Sequence, residues 1–173
     1  MPFFQTPPVL PPGYASDRVL RGWLTRNLPK DALASIEPQL SRCGELASGP
    51  IYERLMAEPD AVPTLTQWDA WGRRVDHIEL TPLWKEMQRI ALDEGMIATA
   101  YERKLGALSR AHQFAVVYLL NATSAVYTCP LAMTDGAART LVAAGNAALV
   151  ERAVPRLASR DPSKAWTSGQ WMT

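Results

Sequence analysis

The sequence has little of what most catalytic or metal-binding signatures are made from. Two histidines, His77 and His112, and two cysteines, Cys43 and Cys129, are scattered over 173 residues. Such numbers and spacings do not build a zinc site. The cysteines lie in distant segments, which fits reduced thiols inside a cell rather than a disulfide framework. No GxGxxG or GxxxxGK[ST] run is present to cradle a phosphate, and no GxSxG elbow supports a serine nucleophile. Paired carboxylates in an apolar setting are not visible either. A charge of one sign is also missing: 18 basic against 17 acidic residues leave a net charge of +1. No field draws in nucleic acid or an anionic membrane. The N-terminus lacks the basic and apolar regions of a signal peptide and the arginine-rich look of a transit peptide. The cytoplasm is the expected compartment, with mitochondrial or peroxisomal placement left open.

What is present in quantity is apolar surface, 47% of the chain, enough for one sizeable core. Its centre is the run from Ala111 to Ala138, where no Asp, Glu, Lys or Arg occurs between Arg110 and Asp135. A helix apolar all round is expected to be buried all round. A membrane span would need about 20 predominantly apolar residues, and Asn121, Thr123, Ser124, Thr128 and Pro130 interrupt this one. The stretch reads as two core helices joined near residues 121–124, with Ser124 or Thr123 capping the second and Pro130 kinking or restarting it. Cys129 reads as a small core residue, His112 as a hydrogen-bonded structural histidine, and Asp135 as a cap or turn holder.

Residues 2–14 hold six of the prolines and glycines that favour an extended arm, with Phe3, Phe4, Val9, Leu10 and Tyr14 as apolar anchors. A helix starts at Ser16 or Asp17 and ends before Pro29. Another begins at Asp31, carries Leu33, Ile36, Leu40, Cys43, Leu46 and Ala47 at helical spacing, bends at Pro38 and breaks at Gly49-Pro50. Residues 66–80 show no helical period and are dense in tryptophan and opposite charges. They read as a loop, either a connector whose tryptophans plug the core's edge or part of a site. Thr81-Pro82 opens a helix that Gly95 stops. A last helical pattern through Leu149 and Leu157 ends near Asp161-Pro162, after which the composition suits a strand.

Four motifs then fit one pattern. Gln5-Thr6-Pro7-Pro8-Val9-Leu10, Trp71-Gly72-Arg73-Arg74-Val75-Asp76, the run from Thr128 to Ala137, and Gly169-Gln170-Trp171-Met172-Thr173 together resemble the acyl-CoA dehydrogenases. Within them the chain is similar to the alkylation-response (AidB-like) branch. The resemblance implies an all-α N-terminal domain, with the start of a β-strand at the C-terminal end. The implied parts are a proline-rich arm at 1–15, a helical domain at 16–160, and a linker with the first strand of a β-domain at 161–173. It implies a longer FAD-dependent enzyme that dehydrogenates an acyl-CoA thioester between its α and β carbons, and a homo-oligomer at full length. Trp171, Met172 and Thr173 are implied to make the first flavin contact, through a backbone N–H and a threonine hydroxyl at the pyrimidine edge. Thr128, Cys129, Pro130, Met133 and Thr134 are implied to line one wall of the acyl cavity. The catalytic carboxylate is expected outside these residues, so the 173 residues alone are expected to be inactive. The competing reading is a non-catalytic helical module that binds an acyl chain or a protein partner.

Overall fold

A computed structural model describes residues 3–6 and 8–170. Helices dominate it. The single turn α1, Gly13–Ser16, leads into α2, Arg18–Asn27, where the Asp17 carboxylate accepts the Leu20 N–H at 2.7 Å and caps the first turn. Leu28 ends α2 ahead of Pro29. Helix α3, Lys30–Ser48, runs through Pro38 without stopping, and α4, Pro50–Ala57, uses proline at its first position. Helix α5, Pro82–Asp93, is capped by the Thr81 hydroxyl, which accepts the Trp84 N–H at 3.2 Å. Gly95, at φ +62°, turns the chain away from it. Short α6, Ala98–Glu102, and a 3-10 turn at Gly106–Leu108 precede the central pair, α7, Ser109–Asn121, and α8, Thr128–Ala144. Gly145, at φ +71°, closes α8, and the Asn146 side chain caps α9, Ala147–Leu157.

The core is built by α2, α3, α4, α5 and α7. Leu24, Leu40, Cys43, Ile51, Met87, Val116 and Leu120 are fully buried in one cluster, each helix supplying one apolar stripe. Helix α3 packs against α1, α4 and α7. Its meeting with α1 is a backbone contact: a Cβ on Gly44 would stand 2.3 Å from the Tyr14 backbone nitrogen. Only glycine allows that approach. Tyr14 is then buried, and its hydroxyl donates to Glu37 at 2.9 Å. No helix among the described residues is long and apolar enough to cross a membrane.

Four expectations need correction. Of the arm's apolar anchors only Tyr14 is buried; Phe3, Phe4 and Val9 are each more than four-fifths exposed. The stretch 66–80 is no loop but most of an antiparallel hairpin, β1, Thr64–Trp68, and β2, Arg74–Glu79, pairing Leu65 with Ile78 and Thr66 with His77. Its tryptophans do not plug the core, since Trp68 and Trp71 are 57% and 90% exposed. Asp69 holds its turn by accepting the N–H groups of Trp71 and Arg73 at 2.9 Å, while Gly72 supplies φ +78°. Thirdly, α7 is not buried all round, because Phe114 and Tyr118, one turn apart, are more than half exposed. Apolar sequence marks what a helix can bury, whereas neighbouring elements decide what it does bury. Finally, neither Thr123 nor Ser124 caps α8, and Pro130 kinks nothing. Pro130 lies in the first turn of α8, where its missing N–H has no intrahelical partner to lose.

Candidate functional site

The implied cavity residues sit on the N-terminal half of α8, and the loop before it fixes their direction. In that loop Ala125 and Val126 both adopt positive φ, +47° and +69°. A β-branched residue in this region is strained, and such strain collects where the chain direction is over-determined. The loop buries Tyr127, whose ring meets Trp84 of α5 edge-on at 5.1 Å, and buries Ser124, whose hydroxyl donates to the Asn121 carbonyl at 2.9 Å. With Tyr127 anchored, helical period turns Pro130, Thr134 and Ala138 inward. Thr128 and Met133 are left half-buried, and Cys129 is exposed. Cys129 is therefore no core residue; Cys43 is, and burial pushes its thiol up to about 12.

The segment after α9 straps across this helix. Thr134 donates to the Pro130 carbonyl at 2.7 Å and accepts the Ser168 backbone N–H at 3.0 Å, and Gly136 faces the Gln170 side chain. Trp166 lies under the Arg156 guanidinium, 4.7 Å from ring centroid to Cζ. Between the strap, α5, α8 and α9 remains a cavity of about 30 Å³ lined by Ala91, Ile97, Tyr127, Leu131, Thr134 and Leu157. That volume holds a water molecule, not an acyl chain. Of the five implied cavity residues only Thr134 lines it. The Cys129 and Met133 side of α8 instead opens outward.

A polar network locks α8 to the rest of the domain. Arg110 on α7 donates to both Asp135 oxygens on α8, at 2.8 and 2.6 Å, and the buried Gln113 donates to Asp135 at 3.0 Å and to the Met96 carbonyl at 2.9 Å. The Tyr101 hydroxyl donates to the same carboxylate at 2.8 Å, and its ring lies 5.3 Å below the Arg110 guanidinium. Burial, then the hydrogen bond to Asp135, pushes the Tyr101 phenol up to about 12. Asp135 is thus an ion-pair partner in mid-helix rather than a cap or turn holder. Sequence reading missed this network although it held a signal: Arg110 and Asp135 are the charges that bracket the charge-free run. A second network ties α3 to the end of α5. Arg42 binds Glu94 with two bonds of 2.8 Å, and Gln39 adds a third at 3.1 Å. Burial alone would raise the Glu94 carboxyl, but Arg42 and Gln39 outweigh it and hold the carboxyl below its usual range. Gln39 also accepts from His112 Nε2 at 2.8 Å; burial, then the positive charges of Arg160 and Lys104, depresses that imidazole toward its neutral form.

A model of the adaptive response protein AidB N-terminal domain matches residues 10–162. The chain belongs to this family, the N-terminal helical domain of the AidB-like acyl-CoA dehydrogenases. Acyl-CoA dehydrogenase family member 11 of Caenorhabditis elegans is 39% identical over 99% of this chain, which spans 28% of that relative's length. Two solved structures superpose over 99% of the chain. One is Bd2924 in its apo form, with TM-score 0.90, 42% identity and 34% of that chain covered. The other is the nematode ACDH-11 in complex with C11-CoA, with TM-score 0.89, 38% identity and 30% of that chain covered. The chain therefore spans about a third of the relatives it matches.

The AidB-like domain carries no group of three or more His, Cys, Asp or Glu side chains placed to hold a metal ion among its described residues. Trp171, Met172 and Thr173, the implied flavin contacts, lie outside the described residues. The preceding segment, 165–170, is neither helix nor strand. The water-sized cavity beside it has no room for a flavin ring.

Proposed function

We propose that this domain supplies one wall of the acyl-chain cavity in a longer, FAD-dependent acyl-CoA dehydrogenase. The observation that carries the reading is the outward side of α8, where Cys129 is exposed and Met133 and Thr128 are half-buried while Tyr101, Arg110 and Gln113 hold the helix rigid through Asp135. A soft, apolar face on a fixed helix suits one wall of a slot closed by another domain. Supporting it, a relative of nearly the same backbone was crystallised with an eleven-carbon acyl-CoA. Thr128, Cys129 and Met133 are the facing residues in this reading, and Pro130 and Thr134 position them from beneath. The chain's end at Trp171, Met172 and Thr173 would provide the first flavin contact. Flavin would supply the hydride acceptor for α,β-dehydrogenation, and the rest of the parent would supply the base.

Met133→Trp in the full-length polypeptide tests the wall. A bulkier side chain there shortens the longest acyl-CoA accepted, raising KM for long chains while leaving short ones nearly unchanged. An unchanged chain-length profile in a folded, flavin-loaded variant would place the cavity elsewhere.

A further inference from the structure

We propose that a second site, on another face of the domain, binds a small molecule carrying a phosphate or diphosphate group. A groove of about 540 Å³ opens between α6, α7, α8 and α9, with Tyr101, Arg103, Arg110, Arg139, Val142 and Val154 among its lining residues. That is the size range of small-molecule sites. Arg139 follows Cys129 by ten residues, so the groove lies about 15 Å along α8 from the proposed acyl wall.

Its charge is what selects the ligand. Three guanidinium groups line one concavity of a chain whose net charge is only +1. Asp135 answers Arg110 alone, and its oxygens are already shared with Tyr101 and Gln113. The side chains of Arg103 and Arg139 make no ion pair or hydrogen bond among the described residues, whereas those of Arg42, Arg73, Arg74, Arg89 and Arg160 each hold a carboxylate. The groove therefore carries two positive charges without counter-ions, a match for a dianion. Arg110 contributes donors as well. Only its Nη1 is engaged, which leaves the donors on Nε and Nη2 free on a side chain that Asp135 and the Tyr101 ring already orient. Guanidinium forks recognise phosphate oxygens in pairs. Arg103 is held with φ +53° at the end of α6, where glycine or asparagine is the usual choice. The turn thus sets an arginine, at some conformational cost, at the groove's edge. The remaining wall, Val142, Val154, Ala100 and Ala107, is apolar, so the phosphate would carry an apolar or planar organic part.

The test is titration calorimetry on the full-length polypeptide at low salt, with phenyl phosphate, inorganic pyrophosphate and benzoate as probes. The expected result is saturable binding of phenyl phosphate and pyrophosphate, with benzoate weaker and affinity falling as salt rises. Arg103→Gln combined with Arg139→Gln should weaken phenyl phosphate about tenfold or more, as loss of charge-assisted hydrogen bonds implies. Both side chains are exposed, so the fold should survive, and unchanged thermal unfolding checks it. Arg89→Gln, on a different helix, should leave affinity unchanged. No saturable binding up to about 10 mM, equivalent to under about 3 kcal/mol, overturns the proposal. So does equal weakening by Arg89→Gln, or preference for benzoate.

Discussion

Replacing Asp135 by alanine should be among the most damaging single changes in this domain. The carboxylate closes four hydrogen bonds that join α6, α7 and α8: two from Arg110, one from Tyr101 and one from Gln113. Gln113 is only 2% exposed, so its second amide N–H, deprived of Asp135, has little access to water. That orphaned donor costs about 1–2 kcal/mol. The Tyr101 hydroxyl keeps the residue-135 backbone carbonyl at 3.0 Å as an acceptor, so loss of its carboxylate bond adds about 1 kcal/mol or less. Arg110 is 36% exposed and rehydrates, so its share is discounted to about 1 kcal/mol or less. The total is about 3 kcal/mol, or a fall of about 6–12 °C in Tm at 2–4 °C per kcal/mol for a domain of this size. Urea unfolding of wild type, Asp135→Ala, Tyr101→Phe and the double variant measures it, and the cycle isolates the Tyr101 share at about 1 kcal/mol or less. A loss under about 1 kcal/mol for Asp135→Ala would refute the reasoning, because it would mean solvent reaches the groups that the structure buries.

The other expectations concern packing and pH. Gly44→Ala would set a methyl group 2.3 Å from the Tyr14 backbone nitrogen, pushing α1 off α3. Overpacking of about 1–3 kcal/mol exceeds the helix-propensity gain of about 1 kcal/mol, so stability falls and proteases cut the N-terminal arm faster. Stability without faster cleavage would show that α1 shifts freely. The depressed Glu94 carboxyl contributes stability that is complete above the usual 4.5 of a glutamic acid and is lost as pH falls through its lower folded value. Tm measured from pH 6 to pH 3 should therefore drop more steeply for wild type than for Glu94→Gln, and parallel curves would contradict this. At the alkaline end, Tyr14 and Tyr101 bind their protons more tightly when folded, so their contribution holds below the usual 10 and is lost toward about 12. Tyr101→Phe should flatten the alkaline fall in Tm, and an unaltered slope would assign that loss to other groups.

Much of the helical scaffold was readable from local chemistry. Asp17 and Thr81 act as caps at the expected places, Gly95 and Gly145 end helices, and Leu24, Leu40, Met87 and Leu120 fill the core at helical spacing. These features depend on interactions within a few residues, which sequence spacing encodes directly. The hairpin was misread as a loop, although its residues carried a strand signal. Thr64, Thr66, Val75 and Ile78 have strand-forming side chains around an Asp-to-Arg turn with a central glycine. The bulge at Asp76, which sits at φ +44°, breaks the alternation, and the concentration of tryptophan suggested packing instead. The residues proposed for the acyl wall were named from the resemblance. That Thr134 points inward while Cys129 does not follows from the Tyr127 anchor, a fact outside the motif.

The sequence by itself determined most of the helical segments, several of their ends, such as those at Asp17, Thr81 and Gly95, and which family the chain resembles. Its apolar run marked α7 and α8 as central, since uncharged surface on that scale must find cover. Only the tertiary structure decided which face of each helix is covered. Phe114 and Tyr118 stay exposed although nothing in the run separates them from Val116 and Leu120. It also decided that Arg110, at one end of the run, meets Asp135 at the other, 25 residues away. Pairing over that distance depends on how α7 and α8 cross, and on a loop that carries two residues through positive φ. Helix periodicity is a property of single segments. Burial and ion pairing belong to the space between them, and that space exists only once the segments have packed.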